Sequence, residues 1–283
     1  MNSLTKLVRE RGGRLVASRL RSFVEPLRTD GHVLMLHNGR SGSTLLGDML
    51  DQHPDMFWDG ETIEKRLHQR SEREGIGIDR FYGALDPQAE VEEIRRRMQT
   101  RCGGRIFGTE LQDYHLKMLG LSLPEMIERL RPLGFTKFIL LERNHLRKIV
   151  SHLIATQKRR HHVGAATKVE VDPIQINPER IYIGHKSTTL REVLEQYAEF
   201  ARSARAALRK QDLLELSYEE HIETDPNVAA AKVCEFLGLP SHRASIKFGK
   251  TTNVPLSAAV KNYAEVVRSL EATGFASVVE EAG

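Results

Sequence analysis

Two hydrophobic patterns alternate along the chain. Short continuous apolar runs occur in "HVLML" (32–36), "GRIFGTEL" (104–111), "TKFILLER" (136–143) and "DLLELSYEEH" (212–221). Bounded by Gly, Asn or charged residues, they read as buried strands. Between them apolar side chains recur at helical spacing. Leu45, Leu46, Met49 and Leu50 do so in 43–52, before "HPD" stops the helix, and Leu146, Ile149, Val150, Leu153 and Ile154 do so in 145–158. Further helices are expected at 123–134, 188–211 and 225–240, the last with Pro in its first turn and a Gly stop. Residues 62–103 read as charged helices and loops, 159–187 as a loop or lid, and the tail as polar, then helical from about Ser257. This alternation predicts an α/β fold: one domain with a parallel sheet and helices on both faces. Ligands of such sheets lie beyond the carboxyl ends of the strands, which directs attention to Gly39–Thr44, Thr109–Asp113, Arg143–Arg147 and Tyr218–His221.

The first of these turns, in "LMLHNGRSGSTLLGDMLDQHP" (34–54), has the composition of an anion cradle. Gly39 and Gly42 let the backbone turn closely, and the first helix amides point outward at the positive end of the dipole. Ser41, Ser43 and Thr44 add hydroxyls, and Arg40 adds a planar fork suited to phosphate or sulfate oxygens. No Lys follows the second Gly, so the nucleoside-triphosphatase spacing fails.

Composition narrows the ligand. A 283-residue chain with 40% hydrophobic and 28% charged residues supports an ordered core. The net charge of +4 suits an anionic ligand, but there is no basic run interleaved with aromatics, and only 6% aromatic residues, so nucleic acid is not expected. Two distant cysteines, Cys102 and Cys234, argue against a disulfide framework or a zinc site. No window is apolar enough to span a membrane, and the expected location is cytoplasmic. Residues 1–30 form a basic extension with Leu15, Val16, Leu20, Phe23 and Val24 on one helical side. That face suits packing on the domain or on a second subunit better than a membrane surface.

"RSGSTLLGDMLDQHPDMFWDGE" (40–61) resembles the 5′-phosphosulfate loop of sulfotransferases that use 3′-phosphoadenosine-5′-phosphosulfate (PAPS). It looks closest to the carbohydrate and trehalose-type bacterial enzymes, the latter sharing "RSGSTLL". The resemblance implies a P-loop-like α/β domain over residues 31–283, with 159–187 as an acceptor lid. It also implies an Arg at a strand end and a Ser eight residues later that hold the 3′-phosphate, and "FILLERNHLRKIVSHLI" supplies Arg143 and Ser151. "LLELSYEEHIETDPNVAAAKVCEFLGLP" is similar to the segment near the adenine, where Tyr218 contacts the base or packs in the core. In "KFGKTTNVPL", Lys247, Lys250, Thr251 and Thr252 are candidates for the 3′-phosphate or adenine, a solvated basic loop being the alternative.

By that resemblance the donor site comprises Arg40, Ser41, Gly42, Ser43, Thr44, Arg143, Ser151, Tyr218, Lys250 and Thr251. The expected reaction moves a sulfuryl group from PAPS to a hydroxyl of a carbohydrate, glycolipid or other small molecule, leaving 3′-phosphoadenosine-5′-phosphate. Arg40 stands where cytosolic members carry Lys, so its part is electrostatic. The chemistry requires no metal. Glu61 is the first choice of base, with Asp59, Glu110 and His115 as alternatives, while His37 and His53 read as structural. Two other readings stay open: an ATP-dependent phosphotransferase, and a nucleotide-binding relative that has lost its base.

Overall fold

The first apolar run forms β1 (His32–His37), which is buried on both sides. In the computed structural model, which describes residues 28–157, 172–183, 186–249, 254–271 and 273–280, β1 is the middle strand of a five-stranded sheet. It leads into α1 (Ser43–Leu50), followed by β2 (Met56–Gly60), α2 (Thr62–Glu74) and α3 (Pro87–Arg97). Next come β3 (Ile106–Leu111), α4 (Asp113–Leu119), α5 (Leu123–Leu130), β4 (Phe135–Glu142) and α6 (His145–Gln157). A small hairpin, β5 (Ile181–Ile183) and β6 (Lys186–Thr188), precedes α7 (Leu190–Leu208). β7 (Asp212–Ser217) completes the sheet and runs into α8 (Tyr218–His221) and α9 (Asn227–Phe236). The tail carries α10 (Leu256–Ala259), α11 (Tyr263–Glu271) and α12 (Ser277–Glu280).

The sheet order is β2-β3-β1-β4-β7, and every pairing in it is parallel. Alternate side chains of β1 therefore feed two apolar layers. Leu34 and Leu36 face the cluster built with α2 to α5 and α7, and Val33 and Met35 face the cluster built with α1 and α9. A third cluster joins α6 and α7 to Ile174, Ile176 and the tail helices. No described helix is long and apolar enough to cross a membrane.

The structure differs from the sequence expectation at three places. "MFWDG" is a strand, β2, hydrogen-bonded to the edge of β3. Residues 113–119 form a helix because Gln112 and His115 make a reciprocal capping box. Part of the expected loop, 181–183 with 186–188, is the hairpin. Residues 1–27 and most of the expected lid, including His161, His162, Lys168 and His185, lie outside the described residues, as do Lys250, Thr251 and Thr252.

Candidate active site

The carboxyl ends of β1, β3 and β4 converge on the turn between β1 and α1. Two residues of this turn have left-handed backbone, Gly42 at φ 89° and Arg40 at φ 65°. The second is a strained conformation for a side chain with a Cβ, and it re-aims the Arg40 guanidinium toward α6. Gly39, expected to supply the turn, has no positive φ. At Gly42 a Cβ would also sit 2.8 Å from the Tyr218 ring, so the position demands glycine twice over.

Arg40 Nε and Nη2 each donate to Ser151 Oγ at 3.2 Å, and Arg143 Nη1 donates to the Arg40 carbonyl at 3.0 Å. The Arg143 guanidinium lies over the Tyr218 ring, 4.2 Å from its centroid. Thus Arg40, Arg143, Ser151 and Tyr218, taken from three separated segments, form one cationic cluster at the start of α1. Burial, then the neighbouring Arg143 charge, pushes Arg40 down to about 10. Arg143 is lowered by burial as well, and its Nε is buried with no hydrogen-bond partner. Glu219 lies 4.0 Å from that Nε, and two guanidiniums held this close favour an anion between them.

Two loop hydroxyls are turned inward. Ser41, fully buried, donates to the Asn38 carbonyl, and Ser43 hydrogen-bonds Glu110. Thr44 is exposed. The outward donors of the turn are therefore its amides, Thr44 and the guanidiniums. Lys247 Nζ lies 3.5 Å from Asp48, which holds the tail segment leading to Lys250 against α1.

A carboxylate and histidine cluster lies beside the cradle. Glu61 is the N-cap of α2, yet its side chain does not cap the helix. It accepts from Gln112 Nε2 at 2.8 Å instead, and its Oε1 is 3.9 Å from His37 Nε2. The side chain is 28% exposed, so one edge reaches solvent. Burial, partly countered by His37, raises its carboxyl above the ordinary range, and Glu110 adds to the rise. The other proposed bases are committed elsewhere. Asp59 is buried against Arg97 at 2.9 Å and Arg101 at 3.6 Å and accepts from Thr62 at 2.6 Å. Glu110 is buried beneath the loop, accepting from Trp58 Nε1 at 2.7 Å and bonded to His37 at 3.0 Å. His115 is fully buried, with Nδ1 accepting from the Gln112 amide at 3.1 Å and Nε2 bonded to Glu64 at 3.2 Å. His53 serves structure, bonded to the Pro240 carbonyl at 3.0 Å.

Ligand-type atoms of His37, Glu61 and Glu110 approach within 4.8 Å of one another, and so do those of Glu61, Glu64 and His115. In both groups the histidine Nε2 is already directed at a carboxylate, so the geometry is that of hydrogen-bonded pairs. Gln112, Glu64 and Trp58 were missed by sequence reasoning. The Gln112–His115 spacing was the one available signal.

The model of the sulfotransferase family matches residues 38–243, from the cradle to the end of the α9 region. The chain belongs to the sulfotransferase family. Among solved structures it is similar to a sulfotransferase from Alicyclobacillus acidocaldarius, at 12% identity and TM-score 0.49 over 88% of this chain and 94% of that one. It is also similar to mouse sulfotransferase SULT7A1, solved in complex with PAP, at 16% identity and TM-score 0.43, covering 81% of this chain and 64% of that one. No curated protein sequence matches it.

Proposed function

We propose that this sulfotransferase uses PAPS as donor and a hydroxyl of a carbohydrate, glycolipid or other small molecule as acceptor. One observation carries the reading: Arg40, Arg143 and Ser151 meet at the N-terminus of α1, and the buried Arg143 Nε makes no hydrogen bond, its nearest carboxylate being Glu219 at 4.0 Å. The residues suit a ligand with two separated anionic groups, one at the amides of the turn and one at Arg143 and Ser151. When bound, PAPS would supply an activated sulfuryl group on a phosphate leaving group.

The protein's part is positioning, charge stabilisation and proton removal. The turn amides, Thr44 and Arg40 hold the 5′ end and stabilise charge on the leaving oxygen. Arg143 and Ser151 hold the 3′-phosphate, Tyr218 backs the Arg143 guanidinium, and Lys250 and Thr251 remain candidates for the same phosphate. Glu61, half-buried and free of capping duty, takes the proton of the acceptor hydroxyl. A cavity of about 1270 Å³ between α4, α5 and α7, with Leu116, Leu123 and Phe200 in its wall, begins at Asp113 beside Gln112 and offers room for an acceptor. Two buried free thiols suit the cytoplasm.

Calorimetric titration tests the donor. Tight binding of 3′-phosphoadenosine-5′-phosphate, with weak binding of adenosine 5′-phosphate and of ATP–magnesium, is expected. Preference for ATP–magnesium would replace the reading with phosphoryl transfer, and binding of none would leave a family member without a donor site.

A further inference from the structure

His37 was expected to be structural, but its surroundings fix a proton count. Its Nδ1 faces the Asn38 carbonyl at 3.2 Å, and a carbonyl only accepts, so Nδ1 carries hydrogen. Its Nε2 faces Glu110 Oε2 at 3.0 Å, an approach that needs one hydrogen between the two atoms. That hydrogen belongs either to an imidazolium or to a protonated Glu110. Glu110 also receives the Trp58 indole N–H at 2.7 Å and a hydrogen bond from Ser43. Several donors converging on one carboxyl favour the carboxylate, which places the positive charge on His37. Both side chains are almost wholly buried, 1% and 4% exposed, so solvent screens neither.

We propose that His37 is a positioning residue, an imidazolium pinned by Glu110 and the Asn38 carbonyl behind Glu61, which keeps the Glu61 carboxyl in the ionised form that a base requires. The deduction rests on the assignment of Glu61 as base. Glu61 needs such a neighbour. Its own burial disfavours the charge, Glu110 and Glu64 face it with the same sign, and its one direct donor among the described residues is the neutral amide of Gln112. Two histidines oppose these, His37 from β1 and His115 from α4. The Lys65 ammonium of α2, which donates to the Asp59 carbonyl, is a further cation on the Glu110 side. His115 spends Nδ1 as an acceptor and directs Nε2 at Glu64, so a neutral ring satisfies all its bonds. His37, with a carbonyl on one nitrogen and a carboxylate on the other, is the ring whose bonds favour the cation. The pair also lies directly below Ser43 in the anion cradle.

The test reads protonation and needs no acceptor. In protein labelled with ¹⁵N-histidine, the His37 ring is assigned by H37Q and, independently, by E110Q, as the ring whose signals that variant changes. Both nitrogens should be protonated at about pH 7, above the ordinary imidazole midpoint, and E110Q should return the ring to the neutral form. In protein labelled with ¹³C at the Glu carboxyl, with E61Q for assignment, H37Q should move the Glu61 midpoint upward by about one pH unit. A neutral His37 ring at about pH 7 in the unmodified protein, or a Glu61 midpoint that H37Q leaves in place, would overturn the proposal. If H37Q does not fold, the state of the ring in the unmodified protein and in E110Q decides. Binding of 3′-phosphoadenosine-5′-phosphate, measured on the same samples, reports separately on the donor reading.

Discussion

Lys148 tests the electrostatic reasoning most directly. It lies on the buried face of α6, one turn from Ser151, and its side chain is 1% exposed. Burial, with Arg143 nearby and Glu142 and Glu219 only partly compensating, pushes its ammonium from 10.5 down to about 7. His145, on the same helix, is forced down to about 3 by burial and by the Lys148 and Arg205 charges. Holding Lys148 charged in the fold at neutral pH therefore costs about 4 kcal/mol. The Tyr197 ring, 4.4 Å from Nζ, returns about 1–2 kcal/mol of that. Lys148→Met keeps the alkyl volume and removes the charge. The variant should be more stable than the parent by about 2–3 kcal/mol near pH 6, measured by urea unfolding. The sign of the pH dependence follows from linkage. Between about 7 and 10.5 the unfolded chain holds a proton that the folded one has shed, so the parent gains stability as pH rises and the gap should close near pH 10. A variant less stable than the parent at every pH, or a gap independent of pH, would refute the argument. Weaker binding of 3′-phosphoadenosine-5′-phosphate by the stabilised variant would show that the ammonium is retained for the anion.

Other outcomes follow from the same geometry. Arg143→Ala should weaken binding of 3′-phosphoadenosine-5′-phosphate far more than that of adenosine 5′-phosphate in calorimetry, and equal weakening would remove the 3′-phosphate role. Glu61→Gln should lower turnover by ~10²–10⁴ with donor binding intact. The raised carboxyl of Glu61 should also place the acid limb of the rate profile above the ordinary carboxylate range, and a limb inside that range would count against Glu61. A Cβ at Gly108 would overlap the Trp58 indole, so Gly108→Ala should cost about 1–3 kcal/mol and shift the emission of this single tryptophan. Unchanged emission and stability would mean that the indole has slack.

What could be read from sequence was whatever depended on local spacing. Arg40 to Thr44 sit between an apolar run and a helical repeat, and Arg143 and Ser151 lie at a strand end and in the following helix, so the elements that carry them were legible, while the bond of Ser151 to Arg40 was not. β2 was not, because its five residues carry Asp59 and Gly60 in place of a clean apolar run. It is a strand because it pairs with β3 and because Arg97 and Arg101 neutralise Asp59 from a distant segment. The roles of Ser41 and Ser43 were equally hidden. Their hydroxyls have the right chemistry for an anion, but the fold supplies nearer acceptors in Asn38 and Glu110. The pairing of His37 with Glu110 was hidden for the same reason, since the two are seventy-three positions apart.

The parallel order β2-β3-β1-β4-β7 has a consequence for how the activity arises during folding. Each pairing spans a crossover, so the parts of the proposed donor site are brought together only by contacts distant in sequence. No short fragment of the chain holds Arg40, Arg143 and Tyr218 at once. Donor affinity and native-sheet content should therefore appear in the same kinetic phase. A ligand bridging the three residues would hold β1, β4 and β7 together and slow local opening of the sheet, protecting the amides of all three strands from hydrogen exchange at once.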